Sequence, residues 1–359
     1  MASDKRRALP FTWSASCGMA CYAVLAGVPL DRLFVNVDAI IDAYTIGKPL
    51  AAELFGDAVA LGGPGWPYIS YGHVNCLGAA LTFPEDSEVG HTPVYDSLAE
   101  GIAALRREVD FTKQGMMPHY LAMWEQLKRA FPEEPIAFHF TAEGPLTTGW
   151  LLRGHDFFAE LLTEPEAVAE YLRLVTASII AYHRCIQRIN GWPEFSPVGV
   201  GIADDIAAMV APDRWPMQVL PYLEQYYQAL TSGERWAHIE DLTIHHLPYL
   251  DQLRLDSFDP SVSPKLTPRT ILEHCGVPFQ WRLNSTHYDA LSRDDIARWV
   301  YHAAANGASS VFTTVLREML APEARELNAR KVLAFVLAAK RVKSLLDAGC
   351  ARDDLMNPS

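Results

Sequence analysis

Eight short β-type runs alternate with longer helical patterns along this chain, and that alternation limits the possible folds more than any other feature. The runs are "DAVALGG" (57–63), "GAALTFPE" (78–85), "PIAFHFTAEG" (135–144), "FSPVGVGIADD" (195–205), "RWAHIED" (235–241), "QLRLDSFDP" (252–260), "VPFQWRLN" (277–284) and "SSVFTTV" (309–315). Two parallel strands need a crossover long enough to hold a helix, so strand–helix–strand repetition reads as βα units. Eight of them predict an α/β fold of one particular kind, a single (β/α)8 barrel over residues 51–359. Residues 1–50 are expected to precede it as a helical extension. The helical segments carry their own punctuation. Ser292 and Asp295 stand in capping-box register before "DIARWVYHAAA", which should stop at Asn306–Gly307. "DFFAELLTEPEAVAEYLRLVTASIIAYHRCIQRI" reads as two helices, the second capped by Thr163 ahead of Pro165.

In such barrels chemistry sits where the strands end. Here the expected ends carry Glu143, Asp204 and Asp205, His238 and Glu240, Asp256 and Asp259, Asn284 and His287, and Thr313 and Thr314, while the strand starts are bland. That asymmetry predicts an enzyme. Strand side chains alternate, so His238 and Glu240, two apart, share a face and together suit a divalent metal such as zinc. Glu240 alone, or with Glu143 and Asp205, would suit acid–base work. Asp204, Asn284 and His287 are candidate substrate-binding groups. Two protein ligands are few for a metal, and a third is expected from Glu318 or an acidic strand end such as Asp256.

Composition excludes other classes. The formal net charge of −13 and the lack of a basic stripe argue against nucleic acid, because phosphate binding needs clustered Lys and Arg. The "KRR" at 5–7 reads as a solvated terminus. No run approaches the roughly 20 apolar residues of a membrane span. With no apolar signal core behind the basic start, a cytoplasmic protein is expected. The six cysteines show neither zinc-ribbon nor disulfide-framework spacing, so reduced thiols are expected.

The order of several segments resembles the uroporphyrinogen decarboxylase superfamily, especially its corrinoid-dependent methyltransferase branch. They are "LFGDAVAL", "LGAALTFPEDSEVG", "EGPLTTGWLLRGHDFFAELLTEPEAVAEYL", "GIADDIAAMVAPDRWPMQVLPYLEQ", "RWAHIED", "VPFQWRLN" and "APEARELNARKVLAFVLAA". The arginine-rich N-terminal motif of the decarboxylases proper is replaced by "LPFTWSASCGMACYAVLAG". Where the zinc methyltransferases of the superfamily carry His–x–Cys and a later Cys, this chain has His238–x–Glu240 and "SVFTTVLREML". A His and carboxylate set leaves a metal a stronger Lewis acid than thiolates would, which suits an oxygen leaving group. The resemblance therefore implies a methyltransferase that demethylates a small methylated substrate, preferably an aryl methyl ether. It would pass the methyl group to cobalamin on a partner corrinoid protein, with a homodimer left open. It also implies a polar orienting role for Asn284. The alternatives are a lyase or decarboxylase using carboxylate acid–base groups, and a non-catalytic corrinoid or tetrapyrrole carrier.

Overall fold

The computed structural model describes residues 9–85 and 89–356; the "KRR" run lies outside them. Nine strands are assigned among those residues: β1 Thr12–Cys17, β2 Ala60–Leu61, β3 Leu81–Thr82, β4 Gly90–His91, β5 Gly199–Ala203, β6 Glu234–His238, β7 Ser257–Asp259, β8 Gln280–Arg282 and β9 Ser310–Val315. Seven are parallel, ordered β2-β1-β9-β8 in one sheet and β5-β6-β7 in another. A parallel bridge from Phe258 to Phe279 ties β7 to the start of β8, so the seven follow one another without a break. The α/β class is as expected, with helices supplying every crossover.

Three expectations are corrected. Thr12–Cys17, placed by sequence in a helical extension, is a strand between β2 and β9, so the sheet begins well before residue 50. Its alternation is between small residues: Ala15 and Cys17 are buried, Ser14 and Ser16 are not, and so weak an apolar signal is hard to see. The run at 78–85 yields only β3, which pairs antiparallel with β4 apart from the parallel sheets. The run at 135–144 is assigned no strand and forms no ladder among the described residues. Its backbone link to β5 among the described residues is one hydrogen bond, from Gly144 N to Ala203 O. On its other side Thr141 N donates to Ile69 O.

That missing ladder leaves backbone groups to be satisfied otherwise, since buried amides without partners are costly. Side chains of neighbouring helices do it. Asn190 accepts from Phe138 N and donates to Phe138 O, while the Tyr182 hydroxyl donates to Phe140 O at 2.5 Å. On the facing edge, the Tyr226 hydroxyl donates to Gly201 O at 2.9 Å. The wall thus has a seam, splinted by side chains.

Helices pack where the apolar periodicity put them. Pro165–Ile189 buries Val168, Leu172, Val175 and Ile179 along one stripe. Thr163 does not cap it; its hydroxyl donates back to Ala159 O in the preceding helix, Asp156–Thr163. Ser292 and Asp295 form the expected capping box of Arg293–Ala305, with Asn306 at its end. All six cysteines are free.

Candidate active site and metal centre

Register builds the site. Ala203 lies opposite His238, and His238 opposite Asp259, so the ends of β5, β6 and β7 stand level. On β6 the apolar Ala237 is buried, which sends Trp236 and His238 to the other face. His238 Nδ1 lies 2.9 Å from Asp259 Oδ2. Its Nε2 lies 3.4 Å from Glu240 Oε1 and 3.8 Å from Asp205 Oδ1. The expectation that His238 and Glu240 point the same way holds in this geometry. Asp205 follows β5 and accepts from Glu240 N at 2.8 Å, tying two strand ends together. Asp241 and Ser261 adopt left-handed φ of 60° and 54° just beyond β6 and β7. Non-glycine residues rarely do so, and such strain gathers where a turn must aim a side chain. The turn at Ser261 lets its N–H donate to Asp259 Oδ1 at 2.8 Å.

The charges interlock. Burial opposes charge on His238, yet its hydrogen bonds to Asp259 and Glu240, with Asp205 nearby, outweigh it and hold the imidazolium to about 10. The hydrogen bond to His238 in turn pulls Glu240 down to about 2. Burial would raise Asp259, but His238 and the Arg282 guanidinium, 2.8 Å away, bring it below the usual range. Asp205 is raised, by burial and by Glu240 and Asp259 beside it.

Glu143 stands apart in kind. Burial lifts it to about 7, with Asp205 and Asp204 adding to the rise, and a hydrogen bond to Ser70 opposing it. Its Oε2 is buried and has no hydrogen-bond partner among the described residues. Glu143 and His238 both line a cavity of about 590 Å³ that runs into the seam beside β5. A carboxyl poised near neutrality over a cavity is suited to proton transfer.

The donors around His238 fit a metal. Asp205, His238 and Glu240 each offer one ligand atom, all within 4.8 Å of one another. Two ligands about 2.1 Å from one tetrahedral ion stand about 3.4 Å apart, close to the separations found here. Asp259 on the opposite ring nitrogen supplies the outer carboxylate that metal-binding histidines commonly keep. The third member is therefore Asp205. Glu318 lies elsewhere, its Oε1 2.7 Å from Arg317 Nε, beside a second cavity with Cys21 and Tyr68. Asp256 sits at the start of β7, where it accepts from Arg235 N.

The candidate substrate-binding residues have other occupations. Asp204 is fully buried and accepts from Leu146 N and Thr147 N, capping the helix Pro145–Arg153 rather than facing the cavity. Gly144 permits this approach: a Cβ there would fall 2.4 Å from Asp204 Cβ. Asn284 caps the helix Ser285–Ala290, and His287 closes the capping box by accepting from Asn284 N. Sequence reasoning gave no role to Arg282, Tyr68 or Ser70. Arg282 was within reach, since it ends its strand as the singled-out acids end theirs. Tyr68 and Ser70 come from a loop and carried no signal.

Parallel strands with helical crossovers and a polar cluster at the strand ends define an α/β protein of the kind that hosts many enzymes. Among solved structures it is similar to a methyltransferase from Methanosarcina mazei, with a TM-score of 0.67 over 94% of this chain and 96% of that chain, at 14% identity. At that identity the likeness is one of fold. No protein-family model matches the sequence, and no curated protein matches it. No helix among the described residues is long and apolar enough to cross a membrane.

Proposed function

We propose that this protein is a methyltransferase of a corrinoid-dependent system, belonging to the branch its sequence resembles. It demethylates a small methylated substrate, preferably an aryl methyl ether, and passes the methyl group to the cobalamin of a partner protein in the cytoplasm. The seven parallel strands and the 136–143 segment are the eight staves of its barrel. The observation that carries the reading is the cluster Asp205–His238–Glu240, backed by Asp259 and opening beside Glu143 onto one cavity. The fold shared with a methyltransferase over nearly the whole chain supports it.

Asp205, His238 and Glu240 would hold a divalent metal, zinc on the strength of the nitrogen and oxygen donors. Bound there, it supplies Lewis-acid stabilisation at the leaving oxygen, and the reduced corrinoid of the partner supplies the nucleophile. The chain's own residues do the rest. Asp259 fixes the His238 ring and its tautomer, and Arg282 keeps Asp259 ionised. When the methyl–oxygen bond breaks, its electrons stay on oxygen, and Glu143 donates the proton that completes the alcohol or phenol.

A second reading has an observation of its own. Without metal, His238 stays protonated against three carboxylates, and Glu143 is the cavity-lining carboxyl held near neutrality. That suits a lyase or decarboxylase. Metal analysis of purified protein, with activity before and after chelation, separates the two. About one zinc per chain, lost in His238→Ala and Glu240→Ala, is expected. Metal-free protein with chelator-resistant turnover would establish the second reading instead.

A further inference from the structure

The cavity beside Glu143 is long and lopsided. It follows β5 from Gly199 to Ala203, about 13 Å at strand rise, with Glu143 and His238 at one end and Trp192 at the other. Its floor is the Trp236 indole. A Cβ at Gly201 would fall 1.7 Å from Trp236 Nε1, and one at Gly199 2.8 Å from Trp236 Cζ3, so the indole lies across both glycines. Covering strand glycines is a known structural use of an aromatic side chain. Such a role would bury the ring, however, and Trp236 remains 43% exposed, facing the cavity.

The walls add a second constraint. No Lys or Arg is among the described residues lining this cavity. Of the histidines there, His139 and His183 are held below their usual range by burial, and the His238 ring is already engaged by Asp259 and Glu240. The polar groups along the helix side are His183 and Gln187, 2.9 Å apart and able to meet a hydroxyl or ether oxygen. A carboxylate seated along these walls, away from the His238 end, would lose its hydration and gain no counter-ion.

We propose that the seam cavity binds an uncharged aromatic ring face-on to Trp236, so that Trp236 and the absence of wall cations set substrate specificity. The proposal rests on the methyltransferase reading only for what happens at the reacting end; the seat for the ring is independent of it.

Calorimetric titration of the purified protein, without the corrinoid partner, tests this with three probes. 2-Methoxyphenol, a neutral ring, should bind; 4-methoxybenzoate, the same ring type with a charge, should bind about tenfold more weakly; 2-methoxyethanol, without a ring, should give no heat. Trp236→Ala should weaken 2-methoxyphenol about tenfold, while Trp236→Phe stays within about threefold. Should Trp236→Ala fail to fold, Trp236→Leu keeps apolar volume and loses the ring face, and the same tenfold loss is expected. Equal affinity for the three probes, or affinity for 2-methoxyphenol indifferent to Trp236→Leu, would overturn the proposal. Ring binding that depends on Trp236 with no methyl transfer would instead count against the methyltransferase reading alone.

Discussion

Replacing Glu143 by Gln should stabilise the fold while it removes the proton donor. Burial raises this carboxyl from 4.5 to about 7, so the folded state holds its proton more tightly than the unfolded chain does. Below pH 4.5 both states are protonated and nothing is at stake. Between 4.5 and 7 the unfolded chain releases its proton first, and stability falls as pH rises; above 7 the buried charge costs its full amount. Holding the proton to about 7 instead of 4.5 corresponds to about 3 kcal/mol. Gln cannot ionise, is nearly isosteric, and can keep the contact with Ser70. Urea unfolding of wild type and variant at pH 5 and pH 8.5 measures the difference directly, because the remaining acids titrate in both proteins. The variant should gain about 2–3 kcal/mol more at pH 8.5 than at pH 5, and turnover should drop by about a hundredfold or more. A stability difference that does not change with pH, or a variant less stable at pH 8.5, would refute the reasoning.

Asn284→Ala should cost about 1 kcal/mol of stability through the lost cap and leave substrate affinity unchanged; a raised KM with normal stability would restore the substrate-binding role. Gly144→Ala should destabilise by about 1–3 kcal/mol in thermal unfolding, since the new methyl meets the Asp204 side chain that caps Pro145–Arg153. Asp259→Asn should lower metal content at limiting zinc by about tenfold or more, read by elemental analysis, because the His238 ring loses the carboxylate that orients it. Unchanged loading would mean that Asp259 serves only to balance Arg282.

What the sequence revealed and what it hid divide along physical lines. His238 and Glu240 were legible because alternation is local and persists past the end of β6: Ala237 and Ile239 are buried while His238 and Glu240 are not. Asp205 was legible as a strand-end acid, yet its place as the third member of the cluster depends on the β5–β6 register, which no single run encodes. Asn284 and His287 looked like site residues by position, while the three-residue spacing between them already had the form of a capping box. β1 was hidden because Ser14 and Ser16 alternate with Ala15 and Cys17, too little apolar contrast to mark a strand. The run at 135–144 had the composition of a strand, but whether such a segment enters a ladder is decided by its neighbours.

Those neighbours at the seam leave this chain with an unusual freedom. Within β2-β1-β9-β8 and β5-β6-β7 the spacing between strands is set by backbone hydrogen bonds, which are the same whatever the side chains and cannot be altered one residue at a time. Between 136–143 and β5 no ladder does this: Asn190 and Tyr182 hold one edge and Tyr226 the other, each encoded by its own codon. A shorter or longer side chain at any of the three would change the width of the slot beside Trp236 without unmaking a sheet. Descendants of this chain can therefore retune the girth of what they accept by single substitutions, while the cluster at His238 stays where the β5–β6–β7 register holds it.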